Sequence, residues 1–277
     1  MTPNVSRKSV TAICQSQRVD HEPAPITPSP FVVVSWNLQG SQGVDVDGVA
    51  DVLAAAQADV IVIQEIQRRQ ARRIAERLAI TEMRWAFKHF PLTTWSEGLA
   101  VLTPHRLVHT DSFVLRRGWF WNWRRRIGLL ARIERGGEQF GVIDVHLSPH
   151  DAGEARRREA HLVVERARAE DERPLIAGDF NDLPGGPGYQ VFTGSGWADA
   201  WAIDRLKDID GATNWTQGTR RGRVPTQRLD FVFAPTGWSV DDARVLAEPD
   251  RLDWFADRSD HVPVLAVLGP PTKDPHP

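Results

Sequence analysis

Apolar residues fall along the chain in short β-branched runs, separated by stretches whose apolar positions recur at helical spacing. The first run, Phe31 to Trp36 (FVVVSW), predicts a buried strand ending at Asn37. From Val46 to Gln57 the apolar positions Val46, Val49, Leu53 and Ala54 predict an amphipathic helix. Val60 to Ile63 predicts a second buried strand, with Glu65 just beyond it. Gln67 to Leu78 is arginine-rich and helical, with Ile74 and Leu78 as the i, i+4 pair of its inner face. A β-rich middle follows at Arg84–Phe90, Leu99–Leu102, Ser112–Leu115, Gly128–Ile133 and Phe140–Val145. Between the last two, Arg135-Gly136-Gly137-Glu138 predicts a hairpin turn. Ala152 to Ala169 is a charged helix, and Pro174 to Ala177 is a strand leading into Gly178-Asp179-Phe180-Asn181. Gly185 to Gly188 (GGPG) lacks the lysine and spacing of a phosphate loop and is expected to be a turn. The last strands are Leu229–Phe233, Ala243–Ala247 and Val262–Leu268.

Helices interspersed with many strands and tight hairpins imply mixed sheets, and strands apolar on both faces need cover on both. The expected architecture is α+β: two mixed sheets packed face to face and flanked by helices, a four-layer αββα sandwich. Residues 1–29, which end in HEPAPITPSP, are expected to form an unpaired leader, 30–269 a single domain, and 270–277 a flexible tail. With 277 residues, 41% of them hydrophobic, the chain can bury a sizeable core, which excludes wholesale disorder.

A net charge of −2 excludes attachment to nucleic acid or anionic lipid by bulk charge, so such contact needs a local patch. The single cysteine, Cys14, excludes an intramolecular disulfide framework and any multi-cysteine zinc site. No signal peptide or membrane span is visible, so a monomeric cytoplasmic protein is expected, with peripheral membrane contact left open.

Asn37, Glu65, His146 and Asp179 each fall at the carboxyl end of an apolar strand, whereas Asp230 and the pair Asp260-His261 fall at the amino end of one. If the last two strands run opposite to the first four, all these polar groups gather on one rim. Taken singly, Asn37 reads as a turn residue, Asp230 as a partner of Arg228, and His146 as a satisfied histidine within a sheet. Taken together they read as a site. The carboxylates of Glu65 and Asp260 and the amide oxygen of Asn37 suit a hard cation, Mg²⁺ or Mn²⁺. Zinc is disfavoured, because His146 and His150 stand on a strand end followed by proline, not on one helix face. Asp144 shares a face with His146, behind it.

Between Arg116 and Arg126, five arginines flank Trp119, Trp121 and Trp123, which share one face of any extended segment. Those tryptophans with Arg124 suit stacking on single-stranded nucleic acid or seating in a lipid interface. The plainer alternative is a tryptophan face packed on the core. The arginine-rich helices interleave Glu and Arg and are expected to be solvated faces.

In order along the chain, SWNLQG (Ser35–Gly40), VIQE (ending at Glu65), DVHL (Asp144–Leu147), GDFN (Gly178–Asn181), RLDFVF (Arg228–Phe233) and SDHVPV (Ser259–Val264) resemble the motif set of the endonuclease/exonuclease/phosphatase superfamily. This superfamily includes type I deoxyribonuclease, apurinic endonucleases, neutral sphingomyelinases and inositol polyphosphate phosphatases. The resemblance spans Phe31 to Leu268. It implies a catalytic domain that hydrolyses phosphoesters with a divalent metal on an αββα sandwich. It also implies Glu65 as main metal ligand, with Asn37 and Asp260 at the same ion or a second. Asp179 and Asn181 would orient the attacking water and the scissile phosphate, His146 would donate to a phosphate oxygen, and Asp230 would hold His261.

Gln39 departs from the apurinic-endonuclease pattern, and His146 stands where that branch has a tyrosine motif, so abasic-site repair is disfavoured. Secreted deoxyribonucleases and bacterial sphingomyelinases carry export signals, so those branches are weakened too. A phosphodiesterase or nuclease is expected first, with nucleic acid among the candidate substrates. A phosphatase or phospholipase-like hydrolase of small phosphate esters or phospholipid is the alternative. A catalytically silent binding module comes last, since every motif acid is present.

Overall fold

The computed structural model describes residues 29–89, 96–117, 125–149, 153–203, 211–215, 220 and 222–271. The expected leader up to residue 28, the tail from residue 272, His150, Trp119, Trp121, Trp123 and Arg124 lie outside the described residues.

In chain order the elements are β1 (Phe31–Asn37), α1 (Val46–Ala56), β2 (Val60–Ile66), α2 (Arg68–Arg77), β3 (Glu82–His89), β4 (Glu97–Thr103), β5 (Arg106–Arg116), β6 (Arg126–Arg135) and β7 (Glu138–His146). Then come α3 (Gly153–Arg168), β8 (Leu175–Asp179), α4 (Pro187–Thr193), β9 (Trp197–Asp199), α5 (Ala200–Ile203), β10 (Asp230–Pro235), β11 (Ser239–Val245), α6 (Leu252–Ala256) and β12 (Val264–Gly269). They form two six-stranded sheets, ordered β11-β12-β1-β2-β4-β3 and β5-β6-β7-β8-β10-β9. Both sheets are mixed, as expected: β1 runs parallel to β2 and β7 to β8, while β12 and β10 return antiparallel beside β1 and β8.

Two-sided burial explains why β1 and β2 read as unbroken apolar runs. Val33 and Val62 face the layer between the sheets, where they meet Leu129, Val142 and Leu175. Their neighbours Val34, Trp36, Ile61 and Ile63 face outward, under Val49 and Leu53 of α1 and Ile74 of α2. On the far side Ala160, Val163 and Val164 of α3 cover Leu130, Ile143 and Ile176. The result is the four-layer sandwich. Asp45 caps α1, its side chain accepting from Gly48 N. The Arg135–Glu138 hairpin closes with Gly136 and Gly137 both at positive φ, as a tight two-residue turn requires.

The differences from expectation are local. The strand expected at Ala243–Ala247 lies at Ser239–Val245, an edge strand with a bulge between Val240 and Asp242 whose partly exposed charged positions blur the alternation. The turn at Gly185–Gly186 runs directly into α4, which Pro187 opens from the first helical position. The short elements α4, β9, α5 and α6 carry too few residues to show a period. Among the described residues no helix is long and apolar enough to cross a membrane.

Candidate active site

The strand directions bring the ends of β1, β2, β7 and β8 to the same rim as the starts of β10 and the segment leading into β12. In the second sheet His146, Asp179 and Asp230 sit side by side in register across β7, β8 and β10. The first sheet contributes Asn37, which lies opposite Gln64, and Glu65 next to it. Asn37 Nδ2 donates to Asp179 Oδ2 at 3.0 Å and so joins the two sheets at the rim. The SDH segment is tied to the end of β1 as well. Ser259 Oγ donates to Asn37 O at 2.6 Å, and Trp36 Nε1 donates to His261 O at 3.0 Å.

Two site residues depart from ordinary strand geometry. Glu65 has φ of 53° and lies where the β2–β4 register shifts between Ile63 and Ile66. A bulge there breaks the alternation and re-aims the carboxylate toward the cleft. Gly40 makes this possible, because a Cβ there would stand 2.4 Å from Glu65 O. Asn181 has φ of 50°, with its N–H donating to Asp179 Oδ1 at 2.9 Å and its amide to Leu147 O at 3.2 Å. Asp179 is therefore fastened from both sides.

His261 Nδ1 stands 2.7 Å from Asp230 Oδ2. Burial alone lowers the imidazole, but the carboxylates of Asp230, Asp179 and Asp260 outweigh it and push His261 up to about 10. Burial also raises Asp230, to about 6, against the pull of His261. Across this buried pair the ion-paired form, imidazolium beside carboxylate, follows from the surplus of acid. Asn214 Nδ2 lies 2.8 Å from His261 Nε2 and 3.1 Å from Asp260 O. A neutral His261 accepts from that amide; a cationic one needs Asn214 to turn its oxygen inward.

His146 Nε2 is 3.6 Å from Asp179 Oδ2, and its Nδ1 is 3.7 Å from Glu65 Oε1. Asp260 stands 3.9 Å from His261 Nε2 through Oδ1, which is buried and has no hydrogen-bond partner among the described residues. Its carboxyl is raised by burial, against the pull of His261, with the negative charges of Glu65 and Asp179 adding to the rise. An orphaned carboxylate oxygen amid further carboxylates is a donor set that fits a hard divalent cation. Asp179, Asp230 and His261 also have ligand-type atoms within 4.8 Å of one another. In that trio, however, Asp230 Oδ2 and Nδ1 of His261 already engage each other at 2.7 Å, and Asp230 Oδ1, without a hydrogen-bond partner among the described residues, lies in a fully buried carboxyl beneath the rim. The space beside Glu65 and Asp260 is the better match.

A family model described as the Endonuclease/Exonuclease/phosphatase family matches residues 34–261, from within β1 to His261. The chain belongs to that family. Solved structures of similar fold include an endonuclease/exonuclease/phosphatase family protein from Bacteroides thetaiotaomicron, at TM-score 0.71 and 19% identity over 87% of this chain and 97% of that one. The Bacteroides thetaiotaomicron VPI-5482 mannosyl-6-phosphatase has TM-score 0.67 and 19% identity over 86% and 99%. D. rerio TDP2, complexed with single strand DNA product, has TM-score 0.63 and 16% identity over 87% and 99%. No curated protein matches the sequence.

In this family member all eight candidate residues of the rim come together: Asn37, Glu65, His146, Asp179, Asn181, Asp230, Asp260 and His261. The pairing of Asp230 with Arg228 does not occur, since Arg228 instead bonds Asp199 at 2.7 Å. Asp144 lies behind the rim, fully buried, accepting from Gln64 Nε2 at 2.7 Å, and burial raises its carboxyl well above the ordinary range. Sequence reading missed Lys88, Glu97 and Asn214. Lys88 Nζ is fully enclosed, 3.1 Å from His146 Nδ1, 3.7 Å from Glu65 and 4.0 Å from Glu97. The alternation of β3 hid it, because Trp85 and Phe87 look like the inward face, whereas Ala86 and Lys88 are the buried pair. Asn214 lies in a polar loop and carries no such signal.

Proposed function

We propose that the protein is a divalent-metal-dependent phosphoester hydrolase, first of all a phosphodiesterase or nuclease, whose reaction centre is this rim. What supports the reading is the meeting of Glu65, Asp179 and Asp260 with two histidines in one cleft, from strands far apart in sequence, in a chain of this family. Glu65 and Asp260, with the amide oxygen of Asn37, would hold the ion, Mg²⁺ or Mn²⁺, which when bound would neutralise phosphate charge and lower the pKa of bound water.

The chain's own groups do the rest. Asn37 and Asn181 fix Asp179, leaving its carboxylate to orient a water and accept its proton as the water oxygen bonds to phosphorus. His261, held as a cation by Asp230 at Nδ1 and engaged by Asn214 at Nε2, sets a fixed positive charge beside the phosphate and cannot itself take that proton. His146 donates a hydrogen bond to the phosphate from the side of Asp179. The P–O bond opposite the water breaks, the leaving oxygen takes a proton from solvent water, and Asp179 returns the proton it accepted to solvent.

Both a mannosyl-6-phosphatase and a protein holding single strand DNA product share this fold, so monoester and diester substrates are the two classes to separate. The test is a Mg²⁺/Mn²⁺ panel with bis-p-nitrophenyl phosphate, p-nitrophenyl phosphate, single- and double-stranded DNA, RNA and sphingomyelin. Glu65→Ala and Asp179→Ala are each expected to lower turnover by at least about 100-fold with the fold intact by circular dichroism. Wild-type-like rates in both variants overturn the assignment. Monoester-only turnover turns the reading to a phosphatase.

A further inference from the structure

Lys88 carries an inference that rests on this reading of the rim. It lies on β3, the outer strand of the first sheet, yet its ammonium is wholly enclosed and reaches across to β7 of the second. Burying an ammonium is costly without compensating charge, and Glu65 and Glu97 supply that charge. They stand 3.7 and 4.0 Å away, however, outside hydrogen-bond range, whereas His146 Nδ1 is at 3.1 Å. A lysine present only to balance the acids would sit within hydrogen-bond distance of them. The strand around it is held in place, since Arg125 Nη2 donates to Phe87 O at 2.6 Å.

An ammonium has three protons and no lone pair, so Lys88 is the donor and Nδ1 the acceptor. A ring that accepts at Nδ1 carries its proton on Nε2. That nitrogen lies toward Asp179, 3.6 Å from its Oδ2. We propose that Lys88 is a positioning residue: it fixes the angle and tautomer of His146 so that Nε2–H is presented to the phosphate side of the cleft. The two histidines of the site are then oriented by opposite partners. Behind His261 stands an acceptor, Asp230, at 2.7 Å, and behind His146 stands a donor. His261 supplies positive charge, and His146 a directed hydrogen bond.

The test is ¹⁵N–¹H correlation spectroscopy of the histidine rings in the metal-free full chain, with His146 assigned through His146→Gln. The expected wild-type pattern is an unprotonated, hydrogen-bonded Nδ1 with the proton on Nε2. Lys88→Met, close in shape but without a donor, is expected to release that tautomer. On whichever phosphoester the wild type hydrolyses it should lower kcat about 10- to 100-fold, with KM changed less than about threefold. A proton on Nδ1 in the wild type overturns the proposal with no variant needed. So does a folded Lys88→Met that keeps the Nε2–H tautomer. If Lys88→Met does not fold, the wild-type spectrum decides alone. The ring measurement needs no substrate, so inertness on every phosphoester would sink the functional reading while this one was still judged by the spectrum.

Discussion

His261 and Asp230 show how a single buried contact sets both charge and stability. In the folded chain Asp230 is raised from near 3.8 to about 6, and His261 from near 6.5 to about 10. Both shifts mean that the folded state binds protons more tightly than the unfolded one, so the pair's contribution to stability falls as pH rises. The loss runs from about pH 4 through 6 for Asp230 and from 6.5 through about 10 for His261. Asp230→Asn removes the charge partner at Nδ1. In metal-free protein the ring pKa is expected to drop, followed by NMR of the ring protons. Thermal melts should show the pH slope between 6.5 and 10 flatten relative to wild type. Activity should fall by about 100-fold or more, since the imidazole loses its orienting carboxylate. An unchanged ring pKa would show that Asp179 and Asp260 hold the charge without Asp230.

Among the elements, β7 and β8 matter most, because their parallel register sets His146 beside Asp179. Gly178, with φ of 146°, is what lets them close: a Cβ there would lie 2.0 Å from Val145 O, a backbone atom with no room to give. Gly178→Ala is expected to destabilise the chain by about 2–4 kcal/mol and to impair turnover together with it, measured by denaturant unfolding and kinetics. A variant as stable as wild type would mean that the two strands can separate at their ends without harm. Much at this scale was legible in the sequence. Strands covered on both faces, such as β1, β2 and β8, announce themselves as apolar runs. The charged edge strand β11 and the short α4, β9, α5 and α6 do not, since their positions are set by neighbours and not by a period of their own. Lys88 was hidden for a related reason: on β3 the larger aromatic side chains are not the ones that face the centre.

For the whole molecule the legible part was the convergence of strand ends. That required only a direction for each strand and a motif order, both of which are written locally. What could not be read was contact across the sheets, Asn37 to Asp179 and Lys88 to His146, and from a loop onto the rim, Asn214 to His261, each joining residues more than 40 positions apart. Convergence also leaves a surplus of negative charge around Asp260, whose Oδ1 is buried without a hydrogen-bond partner among the described residues. A cation bound there stabilises the folded state by mass action. Added Mg²⁺ or Mn²⁺ should therefore raise the melting temperature of chelator-treated protein in a concentration-dependent way, and Glu65→Ala should abolish most of that rise. Equal shifts in both proteins would place the ion elsewhere.

The glycine hairpin between Arg135 and Glu138 sits where β7 begins, at the opposite end of that strand from His146. Nearby, Arg135 fastens the second sheet to the start of β1 through Pro30 O and to Asp59 at 2.9 Å. The sandwich is thus clasped at its base by arginine and at its mouth by asparagine, and the two clasps share no residue. A Cβ at Gly136 or Gly137 meets nothing within 4 Å, so lengthening the chain at that turn is expected to leave the cleft at the far end of β7 intact, which makes it the natural port for grafting a reporter or a tether onto this scaffold.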